Sequence, residues 1–266
     1  MKLETRVAWA GWDEHRFMGR AVFGDLAGRQ SFASLCVLAV TGRAPTAAEV
    51  RALDALAGVL SVADPRIWPL KLVRVGSSTG RVLTGLGAGL LAIDSDFIGP
   101  WTAGRAAADL VALRARLRRR RGAAVDATIV EHFADRPRII GFGVPFRDVD
   151  ERVFALRAQV RRLGRSRMPY WSLAERVWAT LERERGVVPN IGSAMSAMLL
   201  DVNIPAALVP TVGVTLTLPT LIANAVEGAA QAPAILRALP AASIDYTGPR
   251  ARSSPRAVAA RRRRRA

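Results

Sequence analysis

Apolar positions recur every three to four residues along most of the chain, the spacing of amphipathic helices. In "SFASLCVLAVTG" a short apolar run opens at Ser31, a predicted N-cap, and closes at Gly42, a predicted C-terminal stop. In "RAPTAAEVRALDALAGVLS" Thr46 and Glu49 have the spacing of a capping box, and Val50, Leu53, Leu56 and Leu60 fall on one face. "DPRIWPLKLVRVGSSTG" and "RVLTGLGAGLLAID" predict two more helices, the second nearly free of charge and therefore expected to be buried. "AGRAAADLVALRARLRRRRG" puts Leu110, Leu113 and Leu117 on its apolar side. "DERVFALRAQVRRLG" and "SLAERVWATLERERG" are amphipathic again, with Ser172 and Glu175 predicted as a second capping box. A last helical segment is expected from Pro189 to about Leu239. The pattern predicts no strand ladder and no hairpin. The fold class expected is all-α.

From Val202 to Val226 no residue is charged, a stretch long enough to cross a bilayer. Pro205, Pro210 and Pro219 are expected to break it into short pieces, so a buried helical core is predicted rather than a membrane span. Half of the 266 residues are apolar, which excludes a disordered chain. The single cysteine, Cys36, lies in an apolar run and is expected to be a buried small residue in a reducing compartment. The first twenty residues lack a basic and then apolar leader, and the expected location is the cytoplasm.

The formal charge is +17. Lys2 and Lys71 are the only lysines, so 37 of the 39 basic residues are arginine. That skew is what a GC-rich coding sequence produces and needs no anionic partner. Eight arginines fall in residues 250–266; without them 31 basic residues face 22 acidic ones, a charge of +9. This tail is expected to be disordered. Nucleic-acid binding through it is not expected, because it lacks interleaved aromatic residues. No CxxC, HExxH or GxxxxGK motif occurs, so no metal or phosphate loop is predicted, and "GLGAGLLAID" follows no strand.

Five stretches, in order, resemble the citrate synthase superfamily, nearest to its short citryl-CoA lyase-type members. They are "FGDLAGRQSFASLCVLAVTGRAPTAAEV", "GPWTAGRAA", "IIGFGVPFRDVDER", "PNIGSAMSAMLLDVNIP" and "IDYTGPRAR". The resemblance implies a two-lobed helical fold with a shortened large domain and a homodimer. Residues 1–102 and 190–249 would form the large lobe, 103–189 the small lobe and 250–266 a basic tail. It also implies chemistry that makes or breaks a carbon–carbon bond beside a coenzyme A (CoA) thioester. In the family a carboxylate removes a proton next to the thioester carbonyl, one histidine stabilises the enol oxygen and a second polarises the acceptor ketone.

All three positions are altered here. Thr102 stands where the first histidine belongs, Val144 where the second belongs and Gly192 where the aspartate belongs. Threonine retains one hydroxyl, valine has no donor and glycine has no base. Each lost acid–base group costs about a hundred- to ten-thousand-fold, so ordinary citrate synthase activity is not expected. Of the family's carboxylate-binding arginines, Arg152 keeps a near match, and Thr217 occupies the place of another. A later histidine position holds Asn224, followed by the retained Glu227. Arg147, beside the second histidine position, is the candidate for holding CoA phosphates, and Asn190 belongs to the retained "PN" turn. His15 and His132 are expected to be surface or capping residues, and Asp148 and Asp150 to be helix-start carboxylates.

Two readings follow. The protein is either a diverged acyl-CoA lyase or ligase, working with a CoA thioester and a small carboxylic acid, or a non-catalytic CoA-ester-binding homologue or partner subunit of an active paralogue. No covalent cofactor is implied by either.

Overall fold

The computed structural model describes residues 3–144 and 147–231, and the single positions 242, 245, 247 and 248. The chain divides into two compact units, 1–232 and 233–266. The first carries everything described below. The Arg-rich tail and the end of the predicted last helix lie outside the described residues.

Ten α-helices are present among the described residues. Helix α1 (Phe32–Thr41) starts where Ser31 Oγ accepts the Ser34 amide and ends at Gly42, whose φ of 72° suits glycine. Helix α2 (Ala47–Leu60) opens on the predicted capping box, with Thr46 and Glu49 bonded reciprocally. Helices α3 (Trp68–Ser77) and α4 (Val82–Ile93) pack on each other. Then follow α5 (Pro100–Leu117), α6 (Ala123–His132), α7 (Glu151–Arg162) and α8 (Pro169–Arg185). Helix α9 (Ile191–Asp201) is buried from Gly192 to Asp201 and packs on α5, α7 and α8, so it is the central helix of the fold. Close approach of α5 and α9 rests on small residues, Ala103, Ala106 and Ala107 against Ala194 and Ala197, all buried. Ser196 Oγ donates to Ala103 O across this contact at 2.6 Å.

Four expectations need correction. A small antiparallel sheet does exist: β1 (Ala8–Ala10), β2 (His15–Phe17) and β3 (Arg20–Ala21) pair in that order. Its strands are two or three residues long, too short to show an alternating pattern. The capping box at Ser172 and Glu175 is not formed. Helix α8 already begins at Pro169, Ser172 Oγ donates to Ser166 O, and Glu175 pairs with Arg157. The α8 amides of Tyr170 and Trp171 are instead capped by the Asp201 carboxylate from α9, at 2.9 and 2.8 Å.

Helix α4 is not buried all round, since Leu83 and Leu91 are both 81% exposed. Nor does Pro219 break the last helix: α10 (Val209–Ala230) runs through it, with Pro210 in its first turn. Packing of α10 on α1 to α5 and on α9 outweighs the local cost of one interior proline. Residues 206–230 are long and apolar enough to cross a membrane by length and composition, yet 44% of that window is buried inside the protein.

Candidate functional site

One large cleft, of about 760 Å³, collects side chains from three parts of the chain. Residues 60–102 line one side, the 138–152 loop and helix start a second, and 190–221 the third. The loop is held by backbone bonds to the turn before α9: Asn190 N donates to Gly141 O and Gly143 N to Val188 O, both at 2.9 Å. Gly141 must be glycine for two reasons. Its φ is 91°, and a Cβ there would lie 3.0 Å from Ser193 Cβ and 3.2 Å from Ala106 Cβ. Asn190 completes the turn, accepting the Gly192 amide and donating Nδ2 to Gly143 O, each at 2.9 Å.

Thr102, Val144, Gly192, Arg147, Arg152, Asn190 and Thr217 all line this cleft. A Cβ at Gly192 would sit 3.3 Å from Thr102 Oγ1 and 3.0 Å from Asn190 Oδ1. Thr102 and Gly192 are therefore direct neighbours across the α5–α9 contact. Thr102 Oγ1 donates to Gly99 O at 2.6 Å, closing the first turn of its own helix. Asn224 and Glu227, by contrast, are bound away from the lining by Arg74, which donates to both.

Three carboxylates line the cleft, and each is held by arginine. Asp150 is 3% exposed; burial opposes its charge, but Arg152 and the amides of Ile191 and Arg152 hold its carboxyl below the usual range. Arg66 holds Asp64 well below that range. Glu151 is held low by its own backbone amide and by Arg147, whose Nη1 approaches to 2.8 Å. A depressed pKa makes each a weak proton acceptor, the opposite of what a general base needs. No histidine lines the cleft among the described residues. His132 is not among the lining residues; it sits in a half-buried cluster where Nε2 lies 2.9 Å from Asp109 Oδ1 of α5 and Arg136 donates to the same carboxylate. It is thus less superficial than expected. His15 is exposed on β2, beside the Phe23 ring. Burial raises the pKa of the Cys36 thiol, which fits an inert small residue.

Sequence reasoning passed over Asp64 and Arg138. Asp64 reaches the cleft from the turn after α2, where it lies 3.7 Å from Arg147. Arg138 is exposed, lines the cleft and has no acidic partner among the described residues. Its place in "RPRIIGFG", just upstream of the loop motif, was the available signal.

This helical arrangement is the citrate synthase-like fold. Citryl-CoA lyase from Hydrogenobacter thermophilus is similar with a TM-score of 0.77 and 22% identity, covering 97% of this chain and 99% of that one. An ATP citrate lyase from Methanosaeta concilii, in complex with (3S)-citryl-CoA, matches with a TM-score of 0.72 and 15% identity over 97% of this chain and 43% of its own. A citrate synthase from Thermoplasma acidophilum, with carboxymethyl coenzyme A and oxaloacetate, gives 0.57 and 17% identity over 85% and 59%. No protein-family model and no curated protein matches the chain.

Proposed function

We propose that this protein binds an acyl-CoA thioester in the cleft and does not carry out ordinary citrate synthase or citryl-CoA lyase chemistry. One observation carries the reading. Thr102, Val144 and Gly192, which the family resemblance sets at the positions of its acid–base groups, all line the cleft, while every lining carboxylate is bound by arginine or by backbone amides. The fold's relatives include proteins solved with citryl-CoA and with citrate and coenzyme A, which supports a CoA ester as the ligand. Arg147 is the proposed phosphate contact, able to offer two parallel hydrogen bonds if it leaves Glu151. Arg152 and Asn190 shape the floor near Gly192, with Arg152 neutralised by Asp150. The single, half-buried thiol supports a cytoplasmic setting.

The working form we propose is a homodimer. Leu83 and Leu91 on α4, Leu72 and Val75 on α3, and Ile222 and Val226 on α10 leave apolar side chains exposed. No charge lies between Arg81 and Asp94. A chain of +17 approaches a second copy of itself most easily through such an uncharged face. The other occupant, a catalytically complete paralogue, would give a mixed dimer.

The test of the reading is calorimetric titration with free CoA and with acetyl-CoA, run beside a thiol-release assay. Millimolar or tighter binding without release supports it. No heat of binding for either ligand at millimolar concentration overturns it.

A further inference from the structure

The acyl end of the cleft differs from what a carboxylated acyl group requires. Three of the polar side chains lining the cleft are already engaged with the protein. Thr102 Oγ1 donates to Gly99 O at 2.6 Å, Thr217 Oγ1 to Val214 O at 2.8 Å, and Asn190 Nδ2 to Gly143 O at 2.9 Å. Arg152 gives Nε and Nη2 to Asp150, so its charge is already balanced by a buried partner. A carboxylate placed among these groups would be desolvated without a matched cation. Arg138, which has no acidic partner among the described residues, is exposed, where water or a phosphate meets it. The same cleft is lined by Ile93, Phe97, Ile98, Ile140, Met195 and Leu221. Gly192 and Val144 bring no polar atom of their own side chains to it.

We infer that the cleft selects a neutral hydrocarbon acyl group on CoA, not a carboxylated one such as citryl or succinyl. This deepens the binding reading above and rests on it. An apolar chain gains by leaving water for these walls, at about fourfold in affinity per fully buried methylene. A carboxylate on a chain of similar length gains nothing and loses its hydration. The loss of acid–base groups and the loss of carboxylate receptors are then one change. A site that no longer joins or splits a dicarboxylic acid has no use for cations that hold one.

Calorimetric titration of the full chain with free CoA, acetyl-CoA, hexanoyl-CoA and succinyl-CoA decides it. Hexanoyl-CoA should bind at least about tenfold more tightly than acetyl-CoA, four methylenes longer and only partly buried, and succinyl-CoA no more tightly than free CoA. A double variant in the loop before α5, Phe97→Ser with Ile98→Ser, should weaken hexanoyl-CoA by about tenfold relative to free CoA; Phe97 is 69% exposed and Ile98 half-buried, and a melting curve on the same sample checks that the fold is kept. Equal affinities for acetyl- and hexanoyl-CoA, or tighter binding of succinyl-CoA than of hexanoyl-CoA, would overturn the inference while leaving CoA binding intact. Absence of binding by free CoA and all three esters would instead overturn the reading beneath it, and this inference with it.

Discussion

Asp150 grips Arg152 side-on: Nε donates to one carboxylate oxygen at 2.8 Å and Nη2 to the other at 2.9 Å. Oδ2 also takes the Ile191 amide at 2.8 Å, so one buried carboxylate ties the start of α7 to the start of α9. Replacing it leaves a guanidinium and the amides of Arg152 and Ile191 without their acceptor. Asp150→Ala is expected to cost about 2–4 kcal/mol, a fall in Tm of roughly 5–15 °C for a chain of this size. Thermal melts followed by circular dichroism check this, and a Tm within about 2 °C of the parent would mean water replaces the carboxylate at no cost.

Turnover is expected to be absent. With Thr102, Val144 and Gly192 at the positions that the family resemblance gives to its acid–base groups, and with no histidine in the cleft among the described residues, thiol release from acetyl-CoA plus oxaloacetate should not exceed background. The same holds for citryl-CoA cleavage. A rate near ~1 s⁻¹, ordinary for an enzyme, would show that groups other than these supply the proton transfers. Gly192→Asp alone should not restore activity, because its Cβ meets Asn190 Oδ1 at 3.0 Å and the two histidine positions remain empty of acid–base groups.

Arg147→Ala should weaken CoA by about ten- to a hundred-fold, the loss of a charge-assisted hydrogen-bond pair to phosphate. Its stability effect should be small, since the Arg147 side chain is 46% exposed and its partner Glu151 62%. Calorimetry and a melting curve on the same sample separate the two effects.

Leu83→Asp with Leu91→Asp should convert a dimer to a monomer. Each residue is 81% exposed in the single chain, so the substitutions leave the core untouched. Light scattering after size exclusion reads the mass directly. A monomeric parent protein would refute the dimer; a dimer that survives both aspartates would place the interface elsewhere.

What was legible in the sequence was local. Ser31, Gly42, Thr46 and Glu49 announce their helix ends because caps are made within three or four residues. The start of α8 was not legible, because Asp201 caps it from 30 residues away and Pro169 sets the first turn. Exposure of Leu83 and Leu91 was hidden for a related reason: a charge-free helix reads as core whether its outer face meets the same chain or another. At the site, the motif positions were visible as gaps in a known pattern. Asp64 was not, since it arrives from a turn about eighty residues before Val144 and only the fold brings them to one cleft.

Glu49 gives the acid dependence of stability. It is 6% exposed and accepts from Arg43 Nη1 and the Thr46 amide at 2.8 Å and from Asn203 Nδ2 at 2.9 Å. Burial opposes its charge, but these donors hold its pKa at about 2 against an ordinary 4.5. Arg43 also donates to Val202 O at 2.7 Å, so the network joins the start of α2 to the loop after α9. The folded-state pKa lies below the unfolded one, so the contribution is full above about 4.5 and is lost as pH falls from there towards 2. Asp64, Asp126, Asp150 and Glu151 are lowered as well, and Asp201 is raised by burial, so the parent protein alone reports a mixture. The difference between the parent and Glu49→Gln isolates one group. At pH 7 that gap is expected to be about 2–3 kcal/mol, and urea melts at pH 7, 5, 4 and 3 should show it constant to about pH 5 and shrinking below. A gap that stays constant down to pH 3 would mean that Glu49 acts there as a neutral hydrogen-bonding group and that its charge contributes nothing to the junction of α2 with the α9 loop.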